Sequence, residues 1–155
     1  MLNLITDRTA RDVERWKELH DKGWAAMTST EQAEWTSGMK GAYKHTDMNR
    51  VESAVVELAA RFAERGTTLS LTTKTNWTRT GWPTRSDMAR YFANVEALKV
   101  ALGVPLDIPD TPTTNTLFDY QKANNLEKIL LAIEAWLDAE SESKYYVGEI
   151  YSGEV

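Results

Sequence analysis

TDMNRVESAVVELAARFAERG, residues 46–66, is the stretch that decides the fold. Met48, Val51, Val55, Leu58 and Phe62 recur at intervals of three, four, three and four, which lays one apolar stripe along a helix of about five turns. Thr46 or Asp47 is the expected cap at its start, and Gly66 stands where a left-handed residue closes a helix. Forty residues on, SDMARYFANVEAL at 86–98 repeats TDMNRVESAVVEL at 46–58 with Asp, Met, Arg, Val and Leu in register. A looser copy, NNLEKILLAIEAW at 124–136, begins 38 residues later. Met88, Tyr91, Val95, Leu98 and Leu102 form the second stripe, and Leu126, Leu130, Ile133 and Leu137 the third. The spacing predicts three long helices with equivalent apolar faces. They are expected to cross at shallow angles, near +20°, because the stripes run slightly under the helix's own period.

Outward from these helices the chain reads as follows. Residues 1–8 are an extended lead-in. Thr9 with Asp12, and Thr28 with Glu31, have the spacing of capping boxes and predict two short helices, the first to about residue 21 and the second over about 29–36. Gly38 and Gly41 then break the chain, so the first 45 residues are expected to form a helical hairpin laid across the bundle. Leu69 and Leu71 alternate with polar neighbours and predict a minor β element over 67–73. Three of the four prolines fall within residues 104–116, which marks a crossing loop. The last long helix is expected from about 118 to 139. The terminal pentads YVGEI and YSGEV, residues 146–155, combine Gly with Tyr, Val and Ile and favour extended chain. The expected architecture is therefore mainly α. One helical domain spans 1–143 as a bundle of three long helices plus a short N-terminal hairpin, and an extended C-terminal tail spans 144–155.

Composition narrows the function. A chain of 155 residues is sized for one domain. With no cysteine, thiol catalysis and cysteine-based metal sites are excluded. A net charge of −5 gives no basic footprint for nucleic acid, and the longest aliphatic run, 129–133, is far too short to span a membrane. The reading is of a soluble chain without a secretion signal, with no nucleic-acid and no membrane partner. His20 and His45 have no metal-ligand spacing. Glu127, Glu134, Asp107 and Asp110 are the acids from which a glycosidase pair would be drawn, but nothing in the spacing singles them out, and solvated faces account for them. No phosphate loop, nucleophile elbow or zinc-protease motif occurs, so no cofactor and no enzymatic activity is expected.

The best candidate contact patch is TKTNWTRTGWPTR, residues 73–85, with Trp77, Arg79 and Trp82. Indole faces stack on sugars or bases, and a neighbouring Arg adds cation–π contact. The same tryptophans would equally serve to close the bundle end, since Tyr43, Trp82 and Tyr120 each precede a repeat by four or five positions. Arg50, Arg90 and Lys128 share one repeat slot and are expected to pair within their own helices. Tyr146 and Tyr151 of the tail are candidate contacts for a sheet edge on another subunit, with Leu69 and Leu71 as the alternative partners inside the chain.

Five phrases, LITDRTARDVERWKELHDKGWAAMTSTEQAEW, MKGAYKHTDMNRVESAV, GWPTRSDMARYFANVEALK, ANNLEKILLAIE and VGEIYSGEV, together resemble a group of small phage and prophage proteins of Firmicutes encoded among tail and other structural genes. The resemblance implies no particular fold and no catalytic residues. What it implies is a virion protein, a tail or baseplate component made in the host cytoplasm, whose partners are other virion proteins or copies of itself. The alternative is a carbohydrate-binding module that meets cell-wall glycan through Trp77 and Trp82.

Overall fold

A computed structural model describes the backbone of residues 1–152 and the side chains of residues 1–143. The chain is mainly helical. In order come α1 (Ala10–Lys22), a 3-10 turn (Trp24–Ala26), α2 (Ser29–Thr36), α3 (His45–Glu64), α4 (Arg85–Ala101) and α5 (Tyr120–Ser152). α3, α4 and α5 each touch the other two. Their stripes meet in one apolar interior in which Val51, Leu58, Val95, Leu98, Leu126, Ile129, Leu130, Ile133 and Leu137 are sealed from solvent.

Local chemistry sets the helix ends. Thr9, Thr28 and Thr84 accept from the backbone N–H three residues on, and Asp12, Glu31 and Asp87 return the bond to the cap's own N–H. α3 begins earlier than Thr46: Lys44 is its cap position, and Asp47 accepts from the Lys44 amide at 2.8 Å. Its far end closes as the sequence predicts. Gly66 adopts φ 85°, Thr67 N–H reaches Phe62 O at 2.9 Å and Gly66 N–H reaches Ala63 O at 2.9 Å, the pair of bonds that satisfies a helix's last carbonyls.

Three expectations are corrected. No strand forms among the described residues, and 67–73 is irregular. Leu69 and Leu71 do pack on the core, but the backbone beside them is taken by side chains: Arg90 and Asn94 both donate to Thr72 O at 2.7 Å, and Lys74 N–H donates to Glu52 at 3.1 Å. These side-chain bonds hold the end of the segment against α3 and α4 in place of a partner strand. The second correction is at the C-terminal end, where α5 continues as helix to Ser152 instead of giving way to extended chain at 144. Helix propagation adds one bond per residue once nucleated, and Gly148 costs only about 1 kcal/mol against it. The side chains of Tyr146 and Tyr151, and any pairing of the tail with Leu69 and Leu71, lie outside the described residues.

The third correction concerns the hairpin. α1, the 3-10 turn and α2 bury Leu19 and Met27 and stack Trp16 on His20 at 4.8 Å and on Trp35 at 6.0 Å. Yet no side chain from residues 9–42 joins the main apolar core. The hairpin is a satellite, joined to the bundle by the segment 1–8 before it and the loop 37–44 after it.

Candidate functional site

Two places on the molecule gather chemistry. The first is beneath the N-terminal segment, which runs antiparallel to α5 and is held by its own backbone. Leu2 N–H donates to Glu134 Oε1 at 2.7 Å, Ile5 N–H to Glu127 Oε2 at 2.6 Å and Arg8 N–H to Asn124 Oδ1 at 3.1 Å. Asn124 returns a bond to Arg8 O at 2.8 Å. Donors at every third residue suit an extended chain of threefold period.

Arg8 ends this segment in a closed set of charges. Its Nη2 lies 2.7 Å from Glu127 Oε1 and 3.1 Å from Asp47 Oδ1, and its side chain is 2% exposed. Arg50 grips the same two acids, with Nη2 at 2.7 Å from Glu127 Oε1 and 2.6 Å from Asp47 Oδ1, and Nε at 3.1 Å from Glu127 Oε2. Two guanidinium groups thus balance two carboxylates. Burial works against the charge on Arg50, but its bonds to Glu127 and Asp47 prevail and hold its pKa above the ordinary value. Tyr43 lies under Arg8 at 5.4 Å from ring centre to guanidinium carbon, and its hydroxyl meets that of Tyr91 at 2.5 Å. Burial pushes both phenols up. Every carboxylate oxygen of Glu127 and Asp47 already accepts a bond, so the arrangement holds chain segments together.

These acids are where reading by residue type fell short. Glu127 and Glu134, expected on solvated faces, are buried, while Asp107 and Asp110 are exposed. Arg50 pairs with Asp47 inside its own helix, as expected, and also crosses to Glu127 at 2.7 Å, whereas Arg90, expected to pair within its helix, crosses to Glu52 at 2.7 Å. Lys128, in the equivalent slot, is exposed. One signal was present. Asn124, Glu127 and Glu134 follow the same three-and-seven spacing as the apolar seam, so they share a face of α5.

The second place is the aromatic loop. Trp77 is only 3% exposed. Its N–H and C=O are both taken by Asn49, at 2.7 and 3.0 Å, Lys74 Nζ sits 3.8 Å from its ring centre, and its indole N–H has no partner among the described residues. Arg79 is exposed and has no ion pair among the described residues. Trp82 is 86% exposed. The two tryptophans therefore do not make one stacking platform, because one faces the interior and the other faces water.

No family model, curated protein or solved structure matches this chain. A shallow groove of about 460 Å³ also lies between α4 and residues 110–114, lined by Phe92, Glu96 and Lys99 among others. No cluster of acids or histidines suited to a metal ion occurs among the described residues, and none of their helices is long and apolar enough to cross a membrane.

Proposed function

We propose that this chain is a non-enzymatic structural protein that works by contact with other proteins, and that it serves in a phage tail or baseplate. The observation that carries the contact role is Trp82. It stands 86% exposed on a loop pinned on one side by the Asn49–Trp77 clamp and on the other by the Thr84 capping box. A large aromatic on a loop fixed at both ends loses less backbone freedom on docking than one on a free loop, and such residues are the usual anchors of interfaces. Arg79, three positions before it on the same loop, is also exposed and supplies a donor fork. The phage setting is supported by the resemblance carried in the stretch Trp82 to Met88 and the ending Tyr151 to Glu154.

The three-helix bundle with its satellite hairpin suits a rigid spacer. Mass spectrometry of purified particles tests the setting, with the chain expected among virion proteins; presence only in infected cytoplasm counts against it. Co-purification of the wild-type chain and the Trp82→Ala variant tests the anchor, and partner recovery is expected to fall at least tenfold. Sugar binding through Trp77 and Trp82 has less support, since only Trp82 offers a face. A glycan array with no signal would retire it.

A further inference from the structure

The N-terminal unit, residues 1–36, is attached to the bundle in an unusual way. Its hairpin contributes nothing to the main core. Its hold comes from the first eight residues, through the Leu2, Ile5 and Arg8 amides on Glu134, Glu127 and Asn124, the Arg8 guanidinium on Asp47 and Glu127, and Leu2 and Leu4 against the core. All of these acceptors belong to α3 and α5, and none depends on the covalent path that leads back through the hairpin.

We infer that the groove between α3 and α5 is a receptor for an extended segment of this composition, and that two copies of the chain link by exchanging residues 1–36. The occupant is a second copy because its segment offers the same donors and the same arginine in the same register. An empty groove is disfavoured. Without Arg8, Glu127 and Asp47 face Arg50 alone, leaving a net negative charge in a place where Glu127 has no exposure. The groove is therefore filled by one segment or by another, and exchange preserves every bond in it.

The connecting loop permits this. Residues 37–42 carry Gly38 at φ 89° and span roughly 20 Å when extended, while Tyr43 and Lys44 stay with the bundle. The unit travels intact, since α1 begins with its own capping box and α1 and α2 pack on each other. What changes is the hinge, where Lys40 on Asp7 at 2.7 Å and the seat of Gly41 against α1 re-form or are lost. Exchange of an identical element through a hinge loop is a recognised low-cost route to dimers. A copy's own segment competes at an effective concentration on the order of millimolar, so exchange is expected in concentrated samples or after transient opening, and at lower concentration when the hinge is too short to fold back.

The absence of cysteine allows single labels. Full-length Asn3→Cys carrying a donor dye and full-length Ala135→Cys carrying an acceptor are mixed, concentrated, annealed and diluted. Energy transfer between copies, accompanied by a dimer in native mass spectrometry, is expected, and deletion of Ser37 and Gly38 is expected to lower the required concentration at least tenfold. Donor copies bearing Ile5→Pro, which removes one amide donor, or Arg8→Ala are expected to lose the transfer, with circular dichroism checking that each still folds. Strictly monomeric behaviour up to millimolar concentration with the shortened hinge overturns the inference. So does a dimer whose transfer survives in both donor variants, because it then forms through another surface.

Discussion

Glu127 and Lys128 are neighbours in the chain with opposite surroundings. Glu127 receives two guanidinium groups and a backbone amide, whereas Lys128 is exposed. Removing one partner of a buried charge set leaves the others uncompensated, so Glu127→Ala is expected to lower unfolding free energy by about 3–5 kcal/mol. Lys128→Ala should stay within about 0.5 kcal/mol of the parent. Urea unfolding of the two variants side by side checks the contrast. The tryptophans give a second such pair. Trp77→Ala empties a filled interior site and should cost about 3–5 kcal/mol. Trp82→Ala should leave thermal and urea stability within about 0.5 kcal/mol while weakening partner binding, and equal losses from both would contradict the burial described here.

Among the elements, the hairpin depends most on exposed charge. The Lys22 ammonium, with the Thr28 amide, holds Glu31 down to about 2 from its ordinary 4.5. Arg15 depresses Glu34, and Thr9 depresses Asp12. An acid depressed on folding contributes stability that is present above its unfolded pKa and is lost as pH falls through the folded one. The hairpin should therefore loosen as pH drops from 4.5 toward about 2. Carboxyl chemical shifts report this directly, and Glu31 titrating near 4.5 in the folded chain would refute it. The joint to the rest of the molecule is steric. A Cβ at Gly41 would lie 1.9 Å from Asp12 O and 2.4 Å from Asp12 C, both backbone atoms of α1's first turn. Gly41→Ala must push the loop off α1 and is expected to cost about 1–3 kcal/mol in a thermal melt.

At the scale of the whole molecule, the Tyr43–Tyr91 contact ties the loop before α3 to α4, and both phenols are pushed above their ordinary 10.0 by burial. A group whose pKa is raised on folding contributes stability that is fully present below its unfolded value and is lost as pH rises from there through the folded one. These two hydroxyls should ionise only as the bundle opens, with tyrosinate absorbance and loss of helical circular dichroism rising together; a separate earlier step for them would contradict their burial. The fold itself was largely legible from residue order. Apolar stripes at three-and-four spacing lie on α3, α4 and α5, and the Thr-x-x-Asp and Thr-x-x-Glu patterns located the caps of α1 and α2, because such signals act between residues at most a few positions apart. Not legible were the attachment of the hairpin, the division of labour between Trp77 and Trp82, and the burial of Glu127. Its partners Arg50, Arg8 and Ile5 are 77, 119 and 122 positions away, and no local period carries information over that distance. Sequence alone determined that the chain is mainly helical and which faces are apolar, since backbone bonding and periodic burial are short-range. Only the packed tertiary structure decided which charges leave water, because that depends on what the other helices and the first eight residues bring to meet them.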